Sequence, residues 1–121
     1  MKVKTSELTG HALDWAVAKC EGEKAELNRD EIVTWKTIAF EEYRLVWNPS
    51  TNWTQGGAII ERECIDLQYQ GGETDVWGAD MFNAESTVYG DTPLIASMRC
   101  YVTSKLGDEV EIPNEFEEEH V

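Results

Sequence analysis

A chain of 121 residues has room for one domain with a real core, and not for two. Its 24 acids against 10 bases give a formal net charge of −14. Such a chain is repelled by nucleic-acid phosphates and by anionic membranes, which excludes general nucleic-acid binding.

Five Trp, four Tyr and three Phe supply large apolar surfaces, so a compact fold is expected despite the charge. No apolar run approaches the ~20 residues that span a bilayer. Met1-Lys2-Val3-Lys4-Thr5 lacks the apolar stretch of a signal peptide, so a cytoplasmic protein is expected. Cys20, Cys64 and Cys100 are odd in number and widely spaced, which matches neither a disulfide framework nor a zinc site. They read as reduced thiols, with Cys20 and Cys100 on helices, and no metal or cofactor is expected.

In chain order, Lys2 to Thr5 alternates and can start a strand. Thr9 is a candidate N-cap, with Leu8 and Leu13 placed as a hydrophobic staple. Leu13, Ala16, Val17 and Cys20 then fall on one helical stripe, and Gly22 ends the helix. Glu23 to Glu31 is charged and without period, so a connection or exposed turn is expected there. Ile32 to Trp47 turns β-branched and aromatic, giving two strands joined near Phe40-Glu41-Glu42, although the first run also fits a helix.

Asn48 to Asn52 must be irregular around Pro49, and Gly56-Gly57 reads as a second break. Ala58 to Glu63 fits a short helical turn, Cys64 to Tyr69 a strand, and Asp75 to Ala79 another; Asn83 to Asp91 is a loop by composition. Thr92 as N-cap, Pro93 at the first helical position and Gly107 after Leu106 bound a last helix. Ile95, Met98, Val102 and Leu106 form its apolar face, widened by Leu94 and Tyr101. Val110 to Ile112 can add an edge strand. The expected fold is α+β: two main helices packed on a largely antiparallel sheet of four to five strands. It would occupy residues 1–113, followed by an acidic C-terminal tail over 114–121.

Met1 to Gly10 and Ala12 to Ala18 resemble the opening of the NinX-like family of tailed phages and prophages. So do Pro49 to Trp53 with Gly56-Gly57 and Ile60-Glu61. Further along, Tyr89 to Ala96, Met98-Arg99, Lys105 to Asp108 and Val110 to Pro113 are also similar to it. The resemblance covers nearly the whole chain but does not extend to Glu23–Phe40. It implies an accessory protein from the phage nin region, acting in an infected bacterial cell, with no catalytic motif to carry over. Separately, Trp47-x-Pro49-Ser50 followed by Trp53 is similar to small phage proteins that sequester nucleotide immune signals, such as the anti-Thoeris sponges.

Three constellations are candidates for binding. In the loop from Trp47 to Gly57, Trp47 and Trp53 can stack a base while Pro49 shapes the turn. Ser50, Thr51 and Asn52 can hydrogen-bond the base edge, and Gly56 and Gly57 let main-chain donors come close. The alternative is that both indoles cap the core and the polar residues only close turns. Tyr89 and Thr92 flank the start of the last helix, where unpaired N–H groups suit a phosphate. Asp91 opposes an anion there, and Thr92 is equally explained as a cap. Arg99 belongs to a sparse set of bases, with Arg44, Arg62 and Lys105, whose ordinary role is a surface ion pair.

No P-loop, GxSxG or HExxH motif is present, and His11 reads as a solvated or packed imidazole, so a hydrolase is the weakest reading. The expected function is non-catalytic: binding and sequestering a small nucleotide-like host defence signal. In so small a domain this would call for a homo-oligomer to wall off the ligand. The alternative is an acidic protein–protein inhibitor of a basic, nucleic-acid-binding host protein, acting through the acids at the C-terminus.

Overall fold

The computed structural model describes residues 1–73, 75–82 and 86–119. Among these, the chain runs β1 (Lys2–Lys4), α1 (Gly10–Cys20), β2 (Ala25–Asn28), β3 (Glu31–Ile38), β4 (Glu41–Val46) and α2 (Trp53–Glu63). It continues through β5 (Asp66–Gln70), β6 (Val76–Asp80), β7 (Val88–Gly90), α3 (Pro93–Leu106) and β8 (Glu109–Glu111). Short 3-10 turns follow β1 at Thr5–Glu7 and β8 at Asn114–Glu119.

The two ends of the chain are zipped together. β1 pairs antiparallel with β8, placing Val3 opposite Val110 on the buried side and Lys2 and Lys4 opposite Glu111 and Glu109. Opposite charges on the solvent side and two valines inside are the pattern a short antiparallel ribbon needs. Beyond it, the Thr5 N–H donates to Asp108 O at 2.8 Å and the Thr5 hydroxyl to Gly107 O at 2.6 Å. The Met1 amine donates to a Glu111 carboxylate oxygen at 2.7 Å.

α1 forms as the apolar spacing requires, with Leu13, Ala16 and Val17 buried. Its C-terminus is a Schellman turn: Gly22 takes φ 73°, its N–H donates to Lys19 O, and the Glu23 N–H donates to Ala18 O. α3 starts and stops at Thr92, Pro93 and Gly107 as expected. The Thr92 hydroxyl accepts from Ile95 N at 3.1 Å. Its buried residues include Leu94, Ala96, Met98, Cys100, Tyr101 and Val102, which spread around more than one face. The reason is its position: α3 packs against α1, α2 and the sheet of β5, β6 and β7.

Several expectations need correction. The class is α+β, but the eight strands make three small antiparallel sheets, β1-β8, β2-β3-β4 and β5-β6-β7, not one sheet. The two three-stranded sheets pack on different helices, β2 and β3 against α1 and the other sheet against α3, and among the described residues no strand of one is hydrogen-bonded to the other. Glu23–Glu31 contains an edge strand, β2, which turns Ala25 and Leu27 inward and Glu26 and Asn28 to solvent. Gly56-Gly57 is no break, because both lie inside α2, a third full helix. Cys64 consequently leaves the strand and becomes the left-handed cap of α2.

The loop expected over 83–91 has residues 83–85 outside the described set, and its end is strand β7. In the segment expected as a solvated tail, Phe116 is buried, its ring 6.4 Å from that of Trp15. His120 lies outside the described residues.

Candidate functional site

α1 organises the loop after β4 through one buried residue, Asp14. Its main-chain oxygen accepts from the indole Nε1 of Trp47 at 3.0 Å, and its carboxylate accepts from Ser50 N at 2.8 Å. Trp47, Pro49 and Ser50 are therefore buried, and Trp47 plugs the core. Asn52 is the N-cap of α2, accepting from Thr54 N and Gln55 N. Gly56 lets α2 approach its neighbours: a Cβ there would lie 2.4 Å from Pro49 O and 2.6 Å from Leu94 Cδ2. Gly57 is under no such pressure. Most of this loop thus serves the fold.

What the loop does expose divides into two faces. Beside Trp47, a cleft of about 300 Å³ is lined by His11, Asp14, Asp30, Glu31 and Thr51, with no Lys or Arg, so it repels anions. On the other side, the half-exposed Trp53 joins Ser50, Thr51, Thr92, Pro93 and Ile95 around an uncharged groove of about 250 Å³. The structure thus brings Trp53 to Thr92, at the adjacent starts of α2 and α3. Side-chain caps already hold part of the N–H groups at both starts: Asn52 holds Thr54 N and Gln55 N, and Thr92 holds Ile95 N.

Tyr89 and Arg99 meet elsewhere, in a cleft of about 410 Å³ between β1, β7 and α3. Arg99 Nε donates to Leu8 O at 2.7 Å and Nη1 to Tyr89 O at 2.9 Å. Both acceptors are neutral carbonyls. Among the described residues, Lys36, Arg44 and Arg62 each hold a carboxylate, at 2.5, 2.8 and 2.6 Å, whereas Arg99 has none within ion-pair distance. Burial lowers its pKa below the ordinary arginine value, and Asp91 and then Glu7 oppose this only through space. An arginine stays charged regardless, so a partly buried cation without a bonded counter-ion faces the cleft.

Lys4 lines the same cleft, as do the carboxylates of Asp91, Asp108 and Glu109. An adjoining depression shares Lys4 and Glu109 and adds Lys2 and the Met1 end of the chain. Three of the ten bases, Lys2, Lys4 and Arg99, thus lie along these two adjoining depressions, interleaved with carboxylates. Reading the sequence singled out Tyr89 and Arg99 but missed Lys4. The alternation Lys2-Val3-Lys4 was the available signal, since a buried Val3 forces both lysines outward.

The thiols offer little chemistry. Burial raises the pKa of Cys20 and of Cys100 to about 11, so both stay protonated near neutrality, and the exposed Cys64 is a free helix cap. Among the described residues, no three His, Cys, Asp or Glu side chains gather as a metal site.

The family described as Bacteriophage P22, NinX matches residues 4–105. The chain belongs to that family. The matched span takes in α1, the loop after β4 and α3 up to Lys105, and thus every residue lining the four depressions except Met1, Lys2, Val3, Asp108 and Glu109. No curated protein matches the chain. It is a phage protein, and none of its described helices is long and apolar enough to cross a membrane.

Proposed function

We propose that this phage accessory protein works by non-catalytic capture of a small nucleotide-like anion, a host defence signal, in the cleft of Tyr89 and Arg99. The observation that carries the reading is the Arg99 guanidinium, fixed by two carbonyls and left without a bonded carboxylate. In a chain of net charge −14, a desolvated cation held in place is a preorganised seat for a phosphate. Lys4 adds a second positive group, and the half-exposed Tyr89 ring offers a face on which a base can stack. The loop of Trp47 is not part of this site.

The test is a thermal-shift and calorimetry panel of cyclic nucleotides and ADP-ribose derivatives. The expected result is stabilisation by at least one of them, weakened about 10- to 100-fold in Arg99→Gln, the cost of one charge-assisted contact. Because Arg99 also ties Leu8 to Tyr89, Tyr89→Ala serves as a second variant that leaves both carbonyl bonds in place. Ligand released by denaturing the complex should return chemically intact. Absence of any shift across the panel, or turnover of the ligand, would overturn the proposal.

A further inference from the structure

The hairpin of β3 and β4 projects from the body with its outer half exposed on both faces. From Trp35 to Arg44 no residue is buried. Trp35, Ile38, Phe40 and Tyr43 are 47%, 62%, 101% and 48% exposed, the largest concentration of solvent-facing apolar side chains in consecutive chain. A patch of this kind on a soluble protein marks an interaction surface. Its outer strand, β4, is an edge, hydrogen-bonded on one side only.

The phase of the ladder says which groups face outward. The Trp47 N–H donates to Ile32 O, so that opposite pair is hydrogen-bonded, and the alternation continues through Leu45 and Tyr43 to Glu41. Glu42, Arg44 and Val46 therefore point their N–H and C=O groups away from β3. Gln55 Nε2 bonds Val46 O at 2.8 Å, which confirms the direction and closes that end of the edge. The outward positions with both main-chain groups open are Glu42 and Arg44.

We infer that β4 pairs antiparallel with β4 of a second copy, about a two-fold axis at Tyr43. Of the registers the hydrogen-bond phase allows, Glu42 opposite Glu42 and Arg44 opposite Arg44 set like charges together, and the latter also needs the blocked Val46 carbonyl. Glu42 opposite Arg44 of the second copy is left, and symmetry makes that pair twice. Each pair exchanges both main-chain bonds and joins opposite charges on one face. On the other face, Tyr43 meets Tyr43 of the second copy at the closely spaced, non-hydrogen-bonded position. The tip residue Phe40 comes alongside Val46 of the second copy, which is itself exposed.

Arg44 now bonds Glu31 at 2.8 Å, an exposed pair whose exchange costs little. A membrane does not fit this surface, because Glu41 and Glu42 stand beside Phe40 and are repelled by anionic lipid. The inference stands on the strand edge alone and is independent of the ligand cleft.

Sedimentation of the full chain at tens of micromolar tests it. The wild type should be a dimer, and Glu42→Arg or Arg44→Glu should each weaken the dimer at least about tenfold. The double exchange Glu42→Arg with Arg44→Glu should restore it, since the pairing is regenerated with the signs reversed. Tyr43→Cys in a Cys64→Ser background should also yield an oxidised dimer. A monomeric wild type, single exchanges without effect, or a double exchange that fails to rescue would each overturn the inference.

Discussion

The Trp47 indole N–H reaches 3.0 Å to the main-chain oxygen of Asp14, across 33 residues of chain, and seals the loop after β4 onto α1. The Asp14 carboxylate holds Ser50 N from the same helix turn. Trp47→Ala should destabilise by about 3–5 kcal/mol, through the lost ring volume and the lost indole bond. Asp14→Ala should cost about 1–3 kcal/mol by leaving Ser50 N buried and unpaired. Urea unfolding measures both. Neither variant should change ligand affinity in the Arg99 cleft while the fold persists.

Gly56 and Gly57 are neighbours in one helix, yet their replacement should act in opposite directions. Alanine at Gly57 meets only the Trp53 ring edge at 3.7 Å, an ordinary contact, so the helical preference for alanine should stabilise by about 0.5–1 kcal/mol. At Gly56 the new methyl would sit 2.4 Å from a main-chain oxygen that cannot swing aside. α2 would have to shift, at a cost of about 1–3 kcal/mol. Thermal melts of the two variants side by side decide the point. Equal shifts would mean that α2 is not packed on Pro49 and Leu94.

This pair also shows where reading the sequence stops. Helix ends with local cap chemistry, at Gly22, Thr92, Pro93 and Gly107, were legible because the atoms that satisfy each cap lie within one turn. α2 was not, since two adjacent glycines argue against a helix locally and only the approach of Pro49 and Leu94 explains Gly56. β2 was hidden for a related reason: an edge strand needs only Ala25 and Leu27 inward, and the charges between them mask the alternation. Trp47 and Trp53 looked equivalent on either side of one loop. Which of them is buried depends on Asp14, far away in sequence. For the site, the unpaired state of Arg99 depends on where the carboxylates of other elements fall, and no spacing in the chain encodes that.

The turn between β3 and β4 stores strain. Ala39 and Phe40 take φ 51° and φ 69°, the left-handed region that two-residue hairpin loops usually fill with Asn-Gly. A β-carbon there costs about 1–2 kcal/mol per residue. Replacing Ala39-Phe40 by Asn-Gly should therefore raise stability by about 1–2 kcal/mol by chemical denaturation. It should also weaken self-association, since Phe40 is lost from the β4 edge. A variant that gains stability and associates as before would separate the tip from the interface and limit contact to the strand.

Glu21 ties the three helices together at the end of α1. Arg62 of α2 donates to its carboxylate through two nitrogens, at 2.9 and 2.6 Å, and the Tyr101 hydroxyl of α3 donates to the same group. Burial alone would raise the Glu21 pKa, but the bonds from Arg62 and Tyr101 outweigh it and hold the pKa below the ordinary 4.5. A carboxylate depressed in the folded state contributes stability that is present above its unfolded pKa and lost as pH falls through the folded one. Glu21→Gln keeps an acceptor and removes the charge, so at neutral pH it should cost about 1 kcal/mol after discounting for solvent around Arg62. That difference should shrink once the pH falls below 4.5 and vanish when Glu21 is protonated in both states. Urea midpoints of wild type and variant across the acid range give the curve directly. A gap that stays constant into strong acid would mean that Glu21 holds the helices through shape and not through charge.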